Sequence, residues 1–289
     1  MRYTNNFNFP PEIVKAILAD DYDPPNREKE IPCSVLICPT RQALLIQRHE
    51  EEISQDVSDN IWKMFGSSIH YILDKQKSPT TMIQERIYVS FDGYTITGKP
   101  DLYDHASHTL RDYKVTSVIT YLNSLRSGKK EWEEQLNIYC WLHRMIGNFP
   151  QRAVITAILR DWNKKDFNTR LEYPEIAIQE IDIPIWSQSQ QEDYIHYKLN
   201  ALKEFFEAAD NSLPLCTPEE RWATPEKWAV VKEGNTRATR VFDNKDEANS
   251  FRTEGYSIEF RRGKDRRCLH YCPVRYFCDY GKEQCNAKS

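Results

Sequence analysis

Apolar and polar residues follow two rhythms along this chain. Over IWKMFGSSIHYILDK the apolar residues Ile61, Phe65, Ile69 and Ile72 recur at helical spacing, and Ser58 or Asp59 stands where a cap belongs. ERIYVSFDGYTITGKPDLYD and TLRDYKVTSVI are instead rich in β-branched and aromatic residues, with Asp92-Gly93 as a hairpin signal, and so predict strands. A helix is predicted over 130–146, strands over 153–162 and 175–186, and a helix over about 188–210. The opening, to about residue 60, reads as helices broken by a loop from Asp20 to Pro32, where prolines stop a helix.

After Cys216 the texture changes. KWAVVKEG, TRATRVFD, KDEANSFRTE and YSIEFRRG predict a small β-β-α-β unit. The expected organisation is a core with a helical N-terminal part over 1–215, an insertion over 216–267 and a cysteine-rich segment over 268–289. The fold class is α/β, a mixed sheet flanked by helices. The insertion announces no function, and a packing or protein-contact role is its plain reading.

Composition narrows the classes. With 289 residues, 40% of them hydrophobic, there is material for one large domain or two small ones. No apolar run approaches the ~18 residues of a membrane helix, and the opening lacks the apolar stretch of a secretory signal. The expected location is therefore the cytoplasm. A net charge of −4 confines nucleic-acid contacts to a local basic groove. Eight cysteines stand at 33, 38, 140, 216, 268, 272, 278 and 285, half of them in the last 22 residues. In a reducing compartment such clustering favours metal ligands over disulfides; unrelated buried thiols are the alternative.

The central chemical signal is Gly98-Lys99-Pro100-Asp101 followed by Asp112-Tyr113-Lys114, joined through the turn DHASHT. Alternate side chains of a strand share a face, so Asp112 and Lys114 point the same way. A hairpin that sets Asp101 beside Asp112 makes a pair of carboxylates, whose repulsion a hard cation such as Mg²⁺ or Mn²⁺ relieves. Such a cation activates water against a phosphodiester, with a lysine to orient it. Alone, D-x-K is as well read as an ordinary surface hairpin. Gly66 and His70 share a helix face, the glycine allowing close packing, and Gln135 and Tyr139 share another with Trp132 one turn earlier. Separately these read as a core histidine and an amphipathic helix. Arg126, Lys129 and Lys130, beside Trp132, are candidates to grip a strand, although a solvated helix start explains the lysines equally.

Taken in order, G-x3-H, Glu85, G-x-P-D, D-x-K and Q-x3-Y resemble the PD-(D/E)XK nuclease superfamily in its RecB/AddB-like exonuclease branch. The likeness runs from about residue 34 to Tyr139 and resumes at the C-terminal cysteines. It implies a restriction-endonuclease-like fold. It also implies Mn²⁺ or Mg²⁺ held by His70, Asp101, Asp112 and the Tyr113 carbonyl, with Lys114 catalytic. Gln135 and Tyr139 would contact DNA at the mouth, and Glu85 matches a less constant acid. Asp112 stands where this branch often has glutamate. RRCLHYCPVRYFC resembles the terminus of phage-encoded members with a 4Fe–4S cluster that staples the chain's two ends. That nominates Cys268, Cys272 and Cys278, with Cys216 ahead of Cys38 and Cys285 as the fourth ligand; structural Zn²⁺ is the alternative.

The implied function is a DNA exonuclease acting on single-stranded ends in recombination, repair or replication, in a bacterial cell and of phage type. The alternatives are a nuclease fold that only binds DNA or recruits partners, and a zinc-stabilised DNA-binding protein. No GxxxxGK[ST] loop is present, so ATPase or helicase activity would come from a recombination or replication partner.

Overall fold

Short strands, and not helices alone, open the chain: β1 (Arg2–Thr4), α1 (Pro11–Leu18), β2 (Glu30–Pro32), α2 (Cys33–Leu36), α3 (Thr40–Arg48) and β3 (Ser54–Asp56). The computed structural model describes residues 1–19 and 29–286, so the expected loop from Asp20 falls largely outside the described residues. The end of that loop forms β2 because Glu30–Pro32 pairs in parallel with a later strand. The chain divides into two units, one of 1–38 and 54–204, the other of 39–53 and 205–289.

In the first unit, α4 (Ile61–Leu73) occupies the expected helix, but its apolar face does not enter the core. None of its residues is buried, and Trp62, Phe65 and Ile72 are about half exposed. Asn60 precedes it without a side-chain cap, while Asp56 caps the short 3₁₀ turn before it by accepting from Ser58 N. Neither Ser58 nor Asp59 is the cap. Next come β4 (Thr81–Ile83), β5 (Ile87–Phe91) and β6 (Tyr94–Gly98). Asp92 and Gly93 both hold positive φ, 50° and 76°, as the two-residue turn between β5 and β6 requires. β7 (Leu102–Asp104) and β8 (Thr109–Thr116) form the arm on which the chemistry depends. Asp104 stabilises the turn between them by accepting from Ala106 N and Ser107 Oγ.

The strand expected to run through 119 stops at Thr116. Ser117 Oγ accepts from Thr120 N and starts α5 (Val118–Ser127), a helix the β-branched residues there disguised. α6 (Lys130–Met145) follows and returns the chain to β9 (Arg152–Leu159), which pairs in parallel with β8. A parallel pair needs such a crossover. α7 (Lys164–Thr169) precedes β10 (Ile178–Ile183), antiparallel to β9, and α8 (Gln188–Glu204) closes the unit. The sheet order β10-β9-β8-β7-β4 is mixed and flanked by helices, as expected. α6 is buried on most sides: Leu136, Cys140, Trp141 and Leu142 pack in one core with Ile96, Tyr103, Leu110 and Ile155.

The second unit holds α3 and the chain from 205 onward. β11 (Lys227–Lys232) is the centre of a three-stranded antiparallel sheet between β12 (Ala238–Phe242) and β13 (Tyr256–Arg261), with α9 (Lys245–Phe251) between the last two strands in sequence. This is the β-β-α-β pattern expected there. α10 (Arg266–His270) carries Cys268 and α11 (Asp279–Asn286) carries Cys285, with Cys272 and Cys278 on the segment between them. Arg48 and His49, at the end of α3, bind opposite oxygens of Asp210 at 2.6 and 2.8 Å.

Candidate active site

The antiparallel register Leu102↔Arg111 sets Asp101, one residue before β7, opposite Asp112. Tyr113 N–H donates to Asp101 Oδ2 at 2.7 Å and locks that approach. Asp112 and Lys114 share a face of β8, as the two-residue period demands. Lys114 Nζ lies 2.7 Å from Asp112 Oδ2 and donates to Gln135 Oε1 at 2.9 Å. Gln135 Nε2 donates in turn to the Tyr139 hydroxyl at 3.1 Å. From the other side, His70 Nδ1 stands 3.2 Å from Asp101 Oδ1, which also accepts from Gln84 Nε2 at 2.7 Å. A cavity of about 430 Å³ opens here, lined by His70, Gln84, Gly98, Asp101, Tyr139 and Cys33 among others.

Electrostatics follow from burial. Asp112 is only 2% exposed, and burial raises its pKa, the neighbouring Asp101 anion adding to the effect against Lys114. Burial alone would depress Lys114, but the Asp112 carboxylate outweighs it and holds the ammonium above its ordinary value. The hydrogen bond to Asp101 raises His70. Cys33, on the cavity wall, is raised far out of the thiolate range by burial and behaves as an apolar wall. Two carboxylates therefore stand opposite one another across the strand pair, with one fixed lysine against Asp112.

The oxygens and imidazole of this centre fit a hard divalent cation. Asp112 Oδ2 is buried and accepts no aligned hydrogen bond, its neighbour being the Lys114 ammonium. Among the described residues no three His, Cys, Asp or Glu side chains stand ready-made as a metal site. Asp101 Oδ1 is instead occupied by His70 and Gln84.

Several expected participants are elsewhere. Trp132 is 5% exposed, covered by Lys129 Nζ at 4.6 Å from its ring, so it has no free face for a base. Lys130 pairs with Glu134, and Arg126 with Glu172. Glu85 is exposed, and the cavity takes Gln84 and Arg86 from either side of it. Gln84 was not foreseen. It holds φ 52°, and that turn swings its amide, rather than the Glu85 carboxylate, toward Asp101. Gly66 has nothing within 4 Å of where a Cβ would stand, so it is not a packing glycine. Gly98 is: a Cβ there would meet Leu142 Cδ1 at 2.7 Å and Tyr139 Cε1 at 2.8 Å.

In the second unit, Cys216, Cys268, Cys272 and Cys278 line one small cavity, and Arg41 Nε donates to Cys278 Sγ at 3.1 Å. Burial, with the charge of neighbouring thiolates adding, pushes Cys216, Cys268 and Cys272 up to about 11. Cys285 lies on α11 outside that lining. Cys38 belongs to the first unit, where its carbonyl accepts from Lys198 Nζ at 2.8 Å.

The family model described as the PD-(D/E)XK nuclease superfamily matches residues 39–279. The chain belongs to this superfamily. Members of this superfamily use divalent cations such as Mg²⁺ or Mn²⁺. No curated protein matches. Among solved structures, SSO0001 is similar at 16% identity over 65% of this chain and 84% of that one, with a TM-score of 0.46. The alkaline exonuclease LHK-Exo from Laribacter hongkongensis shows 12% identity over 62% and 90%, with a TM-score of 0.37. A phage-related exonuclease from Haemophilus somnus 129PT shows 14% over 68% and 78%, with a TM-score of 0.29. Among the described residues no helix is long and apolar enough to cross a membrane.

Proposed function

We propose that this nuclease is a RecB/AddB-like, phage-type deoxyribonuclease that uses Mn²⁺ or Mg²⁺ to remove nucleotides from single-stranded DNA ends. The observation that carries this reading is the linked set in which Asp101, on the cavity wall with His70, stands opposite Asp112 across the strand pair while Lys114 pairs with Asp112. His70, Asp101, Asp112 and the Tyr113 carbonyl would hold the cation. When bound, a divalent cation polarises a phosphate oxygen and lowers the pKa of the attacking water. Lys114, fixed between Asp112 and Gln135, orients that water and offsets charge gathering around phosphorus. Gln135 spends its oxygen on Lys114 and its nitrogen on Tyr139. That supports a positioning role for Gln135 toward the lysine, with Tyr139 at the wall where the strand enters.

The four sulfur donors around the second cavity suit a 4Fe–4S cluster, with structural Zn²⁺ as the alternative. Its role is to hold the C-terminal segment. We place the enzyme in DNA recombination, repair or replication in a bacterial cytoplasm, beside a partner that supplies any ATP-driven unwinding.

The test is digestion of linear and covalently closed circular DNA, single- and double-stranded, with Mn²⁺, Mg²⁺ or EDTA. Loss of mononucleotides from linear single strands only, abolished by EDTA, is expected. Cutting of closed circles would overturn the exonuclease reading, and cutting in EDTA would overturn the metal.

A further inference from the structure

The second unit carries an open cleft that this chemistry does not use. Helix α9 packs over β11 and β12. Register fixes which face it covers: Phe242 and Phe260 both lie across from Trp228, and the Phe242 ring meets Phe251 of α9 at 5.3 Å. On that face, beside the helix, Trp228, Ile258 and Phe260 floor a cleft of about 520 Å³ edged by Lys245, Asn249 and Arg252. Lys245 and Asn249, four apart, share one side of α9, and Arg252 is the residue that ends it.

The floor is aromatic and accessible. Phe260 is 54% exposed, and its ring lies 5.3 Å from that of Trp228 at 53°. The edge is cationic. Other cations nearby are engaged: Lys227 with Asp243, Arg261 with Glu259 on the opposite face of β13, and Arg240 over Phe242 and Phe251. Among the described residues neither the Lys245 nor the Arg252 side chain has an ion partner. Residues 227–264 hold nine lysines and arginines against six aspartates and glutamates, in a chain whose net charge is −4.

Accessible rings stack on bases of any identity, and unpaired cations at the rim neutralise phosphates. An acidic peptide would match the cations but leave the aromatic floor unmatched. We propose that this cleft binds a single DNA strand, as a site separate from the cleavage centre. The inference rests on DNA being the substrate.

The test is fluorescence anisotropy of a labelled oligothymidylate with the full chain in EDTA, where cleavage plays no part. A failure of the cleavage reading and a failure of this one are thereby separate results. Phe260→Ala should weaken binding roughly tenfold. Lys245→Gln and Arg252→Gln should each flatten the slope of log affinity against log salt by about 0.7. The two cations are exposed, so their double variant keeps the test valid if Phe260→Ala folds poorly. Wild-type affinity and salt slope in the double variant would overturn the proposal. Polyglutamate binding that these variants lose, with oligothymidylate binding kept, would overturn it in favour of an acidic peptide.

Discussion

His143 is buried and Lys114 half-buried, and their surroundings drive these two bases in opposite directions. Lys114 finds Asp112 and stays charged. His143 is 1% exposed, and its Nε2 has no hydrogen-bond partner. Burial, helped by His105, lowers its pKa from 6.5 to about 4. A base depressed in the native state is protonated first in the unfolded chain, so stability falls as pH drops from 6.5 toward 4. The loss at the acid end is about 3 kcal/mol. His143→Leu should make urea midpoints less sensitive to pH across that window than in the wild type; parallel curves would contradict the assignment. At the cleavage centre, Asp101→Ala should weaken Mn²⁺ binding in calorimetry, since it removes one of two adjacent carboxylates; unchanged affinity would remove Asp101 from the ligand set. Asp112 and Lys114 were legible because a strand's two-residue period fixes their faces, and Asp101 because the hairpin turn brings it back opposite Asp112. Gln84 was not, because a left-handed turn moved the inward side chain one residue away from Glu85.

Two glycines separate elements that pack from elements that do not. At Gly98 a methyl group would collide with Tyr139 and Leu142 of α6, so this glycine sets the distance between β6 and the helix. Gly98→Ala should cost about 1–3 kcal/mol in thermal or urea unfolding. Gly66 lies inside α4 with open space around it, and Gly66→Ala should stabilise by about 0.5–1 kcal/mol. Equal effects at the two sites would contradict the packing described. The same helix shows why periodicity alone misleads: its stripe has helical spacing, yet Trp62 and Phe65 remain exposed. Spacing reports an apolar face, and only tertiary structure says whether anything covers it. Helix α5 was hidden for a related reason. Val118, Ile119 and Thr120 favour strands on propensity, but the Ser117 cap overrides it.

Across the whole molecule, the sequence clusters the last cysteines and ranks Cys216 ahead of Cys38 and Cys285 as the distant thiol to join them. In the fold, Cys216 shares one small cavity with Cys268, Cys272 and Cys278. If these four hold a cluster, anaerobically purified protein should be brown with about four iron and four sulfide per chain. Cys216→Ser should bleach it and lower the Tm, whereas Cys285→Ser should do neither. Colourless protein with one tightly held zinc would replace the cluster with a structural zinc site and leave the cleavage centre untouched. That centre is tested most directly by the rate at which Lys114→Ala degrades end-labelled single-stranded DNA, set beside its DNA affinity measured in EDTA. Its ammonium pairs with buried Asp112 and with Gln135, so the fold of the variant is verified first; affinity should then stay within a few-fold while cleavage falls at least about 100-fold. Wild-type cleavage by correctly folded Lys114→Ala protein would contradict the assignment of Asp101, Asp112 and Lys114 as the catalytic set.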